Sequence, residues 1–240
     1  TERDRDLLLA DVKAHPENAR SWFYLGNAYK ELGQFAAAAD AYAKRIALGG
    51  WQEEVWRSRL EIARCFREMK NEPSFEHNAI RAYDERPWRA EPIYDLAEFY
   101  HNGVKHSASM LFIERGLKIP KPPDDLLFVE DYPYEYGFKN LATIEGFYSP
   151  DPAQKALGYE CCEELALSRE APAHLREQAW RNLFFYTRPL REQAPSCQLH
   201  RIGFTPPDGY HPLNPSICRL GDRMVVNVRA VNYLIGADGR

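Results

Sequence analysis

The sequence predicts an all-α fold: a right-handed superhelix of three to four helix–turn–helix repeats, followed by a short proline-rich, β-prone C-terminal tail. Three observations predict it. The first is the run from Trp22 to Tyr42, which reads Trp-x2-Leu-Gly-x2-Tyr and then Ala-x3-aromatic, with Gly33 between its halves. The second is recurrence, since Trp56 follows Trp22 by 34 residues and Leu96-Ala97-x2-Tyr100 repeats Leu25-Gly26-x2-Tyr29. The third is the loss of helical periodicity after Thr187, where Pro189, Pro195, Pro206, Pro207, Pro212 and Pro215 crowd together.

Residues 5–15 place Leu8, Val12 and His15 at helical spacing, with Pro16 as the stop. This segment reads as the second helix of a repeat whose first helix is absent, which would make the chain a piece of a longer one. A short N-terminal cap on the next repeat is the alternative. The first complete repeat spans about 18–50. Small Gly26 and Ala38 let two backbones approach, while Trp22, Leu25, Tyr29 and Tyr42 fill the space between them. Gly33 sits where the first helix must reverse, and Gly49-Gly50 ends the second.

The second repeat, about 52–87, is degenerate. Ile62-Ala63 and Phe66 match Leu25-Gly26 and Tyr29 at an offset of 37, but Ala79 and Tyr83 match Ala38 and Tyr42 at 41. The turn around Asn71-Glu72-Pro73 is therefore expected to hold extra residues. The third repeat covers 89–120. Lys121-Pro122-Pro123-Asp124-Asp125 is a connector, and Leu126 to Val129 a short apolar turn. Residues 134–168 form a diverged fourth pair, and 172–186 a terminal helix that would seal the stack. The helical domain thus runs over 1–188, with a proline-rich linker and β-strand tail over 189–240. Met224 to Ile235 carry β-branched residues and approximate alternation before a turn signal at Gly236–Gly239. That is expected to be the opening of a further β domain, or else a hairpin-like tail folded back on the helices.

Net charge of −4 and a pI near 6.0 lack the basic footprint that nucleic acid demands. No apolar run reaches membrane-spanning length, and the first residues carry no leader-like stretch. The cysteines Cys65, Cys161, Cys162, Cys197 and Cys218 are odd in number and lack a Cys-x-x-Cys pair, so neither a disulfide framework nor a zinc site is expected. The expected location is the cytoplasm.

The Trp22–Tyr42 pattern resembles the tetratricopeptide-repeat family. More widely, residues 18–66, the run Arg89–Ala97 and residues 123–128 resemble the repeat region of bacterial tetratricopeptide-containing glycosyltransferases, and residues 214–229 resemble a β-rich domain sometimes found downstream. The resemblance implies a transferase domain before the repeats. It carries no catalytic residue over, because the transferase domain it implies is not in these residues, so the chain is not expected to be an enzyme by itself.

The family's first helices line a concave groove for extended peptides. Projected onto this sequence, the groove comprises Arg20, Phe23, Asn27 and Lys30, then Arg57, Leu60, Arg64 and Arg67, then Tyr94, Glu98 and His101. Asn27 matches the family's groove asparagine, and Arg57 and Arg64 offer forked donors to a carboxylate. Phe23 stands where carboxylate-clamp members have lysine, a departure that weakens C-terminal-peptide clamping. The competing reading makes the arginines a solvated face paired with Glu53, Glu61 and Glu68.

Other chemistry finds little support. His101 and His106 are poorly spaced for two ligands on one helix face, so no metal is expected. Half-buried helical cysteines such as Cys161 usually pack instead of reacting. Asp124, Asp125, Glu130 and Asp131 gather near Tyr132 and Tyr134, where capping is the simpler role. The expected function is a protein- or peptide-binding scaffold within a larger glycosyltransferase-containing protein, without cofactor. The alternatives are a module that itself contacts sugar or acceptor, and a structural module that forms homo-oligomers.

Overall fold

The structure, a computed structural model, describes residues 1–125, 127–187, 211–220 and 223–231. The chain divides into two units, 1–188 and 189–240. Among the described residues the first unit is entirely helical: α1 (Glu2–Ala14), α2 (Ala19–Glu31), α3 (Phe35–Leu48), α4 (Gln52–Glu68), α5 (Glu72–Glu85), α6 (Glu91–Asn102), α7 (His106–Gly116), α8 (Phe138–Tyr148), α9 (Pro152–Leu167) and α10 (Ala173–Tyr186). Each helix packs chiefly on its neighbours in sequence, which is the contact pattern of a helical repeat array. No helix among the described residues is long and apolar enough to cross a membrane.

Local chemistry sets the boundaries. Thr1 and Asp4 form a reciprocal capping box on α1, and the side chains of Asn18, Asn71 and Asp151 cap α2, α5 and α9. The α1 helix buries Val12 against Leu25 and Ala41, so it packs on the first repeat. Gly26 lies under the Tyr42 ring, where a Cβ would come within 2.6 Å of the ring carbons. That close approach explains the glycine.

The turns between paired helices repeat one geometry. Gly33, Lys70 and Val104 all take left-handed backbone, at φ of 70°, 57° and 55°. Each residue donates its N–H back to the helix, to Lys30, Arg67 and His101 oxygens, and the next residue donates to Tyr29, Phe66 and Tyr100. The matching of Tyr29, Phe66 and Tyr100 in sequence is thus also a structural equivalence. The expected insertion near Asn71 is not in the turn. The α4 helix has 17 residues against 13 in α2, and the turn after each is three residues long. Phe75, fully buried, takes the place beside α4 that Ala38 takes beside α2.

The core is continuous along the stack. Phe23, Ala38, Tyr42 and Cys65 cluster first, then Ala63, Phe75, Ala79 and Leu96, then Ile93, Met110, Ile113, Phe138 and Leu141. Between α7 and α8 the described residues 119–125 and 127–130 are neither helix nor strand, and the chain enters α8 through a π-helical turn, Pro133–Gly137.

In the second unit, strand β1 (His211–Leu220) pairs antiparallel with β2 (Arg223–Val231), from His211 opposite Val231 to Leu220 opposite Arg223. The register shifts between Leu213 and Ser216, around Pro215, which has no N–H to give to the ladder. The partner of the expected strand therefore precedes it in the chain. The strand also ends at Val231, and the expected turn at Gly236–Gly239 lies outside the described residues.

Candidate peptide-binding groove

The projected groove residues lie on α2, α4 and α6, and one ladder of ion pairs ties those helices together. Lys30 Nζ donates to Glu61 Oε2 at 2.7 Å, Arg64 to both Asp95 oxygens at 2.6 and 3.1 Å, and Arg67 to Glu98 Oε2 at 2.9 Å. In all three pairs the carboxylate follows its cation by 31 residues. A cation on one repeat therefore meets an anion on the next, an inter-repeat pattern that the sequence carries in plain view. Neither Asp95 nor Glu61 was among the projected groove residues.

The chain's own connector lies on this face. Glu130 accepts from Arg57 Nη1 at 2.7 Å and from Arg64 at 2.7 and 2.9 Å. Phe128 stacks on the buried Phe23 ring, with centroids 6.0 Å apart, and the Arg57 guanidinium sits 5.4 Å from the Phe128 ring centre. Backbone groups take part as well. Phe128 O accepts from Arg57 and Arg89, Leu127 N–H donates to Glu53 Oε2 at 2.6 Å, and Glu130 N–H donates to Glu91 Oε1 at 3.2 Å. Phe128 itself takes left-handed backbone, φ 48°.

One buried knot anchors the connector. The Arg89 side chain is fully buried, forks onto Glu91 at 2.7 and 3.1 Å, and reaches Asp125 at 3.2 Å. Its guanidinium lies 4.1 Å over the Trp56 ring, and Arg86 adds two 3.0 Å bonds to Asp125. Tyr134 Oη accepts from Ala90 N–H and donates to Glu91 Oε2 at 2.8 Å. The carboxylates between Asp124 and Asp131 are thus distributed among separate cations, Asp131 going to Lys121, instead of pooled around one reacting centre.

The remaining groove residues are also engaged internally. Asn27 Oδ1 accepts from Tyr42 Oη at 2.6 Å, so its amide serves the core. Arg20 is exposed, 5.8 Å from the Tyr24 ring centre. Leu60 is buried among Trp56 and Ala82. Tyr94 packs edge-on against Tyr132 and Phe138. His101 and His106 converge on one buried carboxylate: their Nδ1 atoms lie 2.6 and 2.9 Å from the two oxygens of Glu145. That bond, opposed by burial, raises the His101 pKa. Arg57 and Arg64 do pair with Glu61, as the competing reading expects, but their side chains are only 11% and 18% exposed, so they do not form a solvated face.

Electrostatics follow the geometry. Burial resists ionisation of Glu61, yet Arg57, Arg64 and Lys30 outweigh it and lower the pKa. Burial likewise opposes the charge of Glu130, but hydrogen bonds from Arg64 and the attraction of Arg64 and Arg57 hold its pKa down to about 2. The ordinary value is 4.5, so the stability this pairing contributes is complete above pH 4.5 and is lost as pH falls towards 2. Glu130→Gln is expected to be less stable than wild type at pH 7, with the gap closing over that acid range. Urea denaturation at stepped pH checks this, and parallel pH slopes for the two proteins would contradict it.

Burial pushes the thiols of Cys65, Cys161 and Cys162 up to about 12, which leaves them poor nucleophiles. Among the described residues no group of three or more histidine, cysteine or carboxylate side chains is placed to hold a metal. No family model matches the chain, and no curated protein matches it.

Proposed function

We propose that the helical unit is a peptide-binding scaffold of the tetratricopeptide type, with the inner faces of α2, α4 and α6 as its groove. The observation that carries this reading is the connector on that face. Residues 127–130 lie there with Phe128 in left-handed backbone, held through an aromatic ring, a carboxylate, two N–H groups and a carbonyl, groups that a bound peptide can also present. A surface that satisfies such a segment in cis has the chemistry to receive one in trans. The resemblance of residues 18–66 and Arg89–Ala97 supports placing the scaffold beside a glycosyltransferase domain, where it would hold an acceptor or partner protein. A reading frame extended beyond both ends tests that placement, and a frame with no transferase domain would remove it.

Peptide display against the full chain tests the groove itself. Peptides selected on wild type are expected to lose at least about tenfold in affinity on the Arg57→Glu/Arg64→Glu/Arg67→Glu protein, because each charge-assisted bond contributes roughly 1.5–3 kcal/mol. Unchanged capture by the reversed protein would rule out this face. Circular dichroism on both proteins separates lost binding from lost folding.

A further inference from the structure

The inner face holds an unusual charge balance. Lys30, Arg57 and Arg64 are three clustered cations, and among the described residues the carboxylates Glu61 and Asp95 of the helices pair with them. Glu130 of the connector supplies the third. Arg67 is matched separately by Glu98, while Arg86 and Arg89 are matched by Asp125 and Glu91. With the connector lifted away, Arg57 and Arg64 would lose the carboxylate they share. Beside them would lie Phe23, a ring now 2% exposed that Phe128 covers. Asp125 is held by Arg86 and Arg89, and helical structure resumes at Asp131, just after residues 127–130.

We propose that residues 127–130 are a built-in occupant of the groove, and that the ligand they stand in for is a peptide with an aromatic residue two positions before a carboxylate, turned at the aromatic residue as Phe128 is. This deepens the scaffold reading and rests on it. The half-exposed ring stacks on Phe23 beside the Arg57 guanidinium, and the carboxylate bridges Arg57 and Arg64. A ligand in trans must compete with a segment tethered at both ends, whose effective concentration is on the order of millimolar. The wild-type groove is therefore partly closed to its own ligand, and loosening the connector opens it.

The probe is a fluorescent, N-acetylated and C-amidated peptide of residues 124–132, titrated into the full chain and read by polarisation. The Phe128→Ala/Glu130→Gln protein, which keeps every helix residue of the groove, is expected to bind it at least about tenfold more tightly than wild type, as removal of a tethered competitor requires. A probe with glutamine in place of its glutamate is expected to bind the double variant at least about tenfold more weakly, in line with one lost charge-assisted contact. A third probe ends two residues after its phenylalanine, with an amidated glutamine side chain and a free terminal carboxylate. Binding by that probe alone would overturn the side-chain carboxylate in favour of a chain terminus. Equal affinity of wild type and the variant for the first probe would overturn the built-in occupant. If display-selected peptides still map to this face in that event, the scaffold reading survives; if neither they nor the probes bind, both fall. Should melting curves show the double variant unfolded, Glu130→Gln alone serves, with an affinity gain of the same direction expected.

Discussion

Arg89→Ala is expected to cost the helical unit roughly 3–5 kcal/mol, the range for removing one partner of a buried ion pair. The side chain is fully buried and charged, and it satisfies two carboxylates and two main-chain oxygens at once. Its removal strands Glu91, which is itself fully buried, and takes a cation from the Trp56 face. At roughly 2–4 °C per kcal/mol for a domain of this size, the midpoint should fall by about 10 °C. Arg89→Lys should recover only part of the loss, because an ammonium cannot fork onto Glu91 while also reaching Asp125. Thermal melts followed by circular dichroism check both proteins. An Arg89→Ala midpoint within about 2 °C of wild type, less than 1 kcal/mol on the same scale, would show that the knot is not what fixes the connector.

The second large effect is expected where α8 crosses α9. Gly146 and Gly158 face each other so closely that a Cβ on Gly146 would lie 2.8 Å from the Gly158 Cα and 2.7 Å from Gln154 O. A Cβ on Gly158 would lie 2.3 Å from Tyr186 Oη and 2.8 Å from Ala142 O. Backbone cannot swing aside as a side-chain tip can. Gly158→Val must separate the helices and break the 2.9 Å bond from Tyr186 to Thr143 O, which ties α10 to α8. Overpacking of this kind costs typically 1–3 kcal/mol, and the loss of the Tyr186 bond adds about 1 more. Gly103→Ala is the control, because its nearest contact would be an ordinary 3.5 Å and its backbone is not left-handed. Urea denaturation of the two proteins should separate them by at least about 2 kcal/mol, the overpacking cost less the small effect of the control. Equal midpoints would mean that the crossing is looser than these distances.

Much of the helical order is legible in the residues themselves, since each landmark has a local cause. The Tyr29, Phe66 and Tyr100 equivalence is readable because the turn after each rests on a bond to that residue's carbonyl. The register of the second repeat is harder. Its offset changes inside α4, and a helix lengthened by a turn leaves the same apolar spacing as an enlarged loop. The inter-repeat ion pairs were readable in principle, as three cations and three carboxylates at one fixed spacing, but single-helix projection looks only for partners three or four positions away.

The connector was not legible in this way. Leu126 to Val129 read as an apolar turn because nothing local says that Phe128 covers Phe23 or that Glu130 joins Arg57 and Arg64 across more than 60 residues of chain. The hairpin shows a similar limit. Proline in β1 argues against a strand, and only the pairing with β2 reveals that Pro215 falls where the ladder is interrupted.

Hydrogen exchange on the full chain, with and without a display-selected peptide, tests the central claim most directly. Amides slow where a ligand covers or stiffens them and quicken where an occupant is displaced. Peptide binding is expected to slow exchange along α2, α4 and α6 and to quicken it over 127–130. Slowing confined to other helices, with 127–130 unchanged, would contradict it.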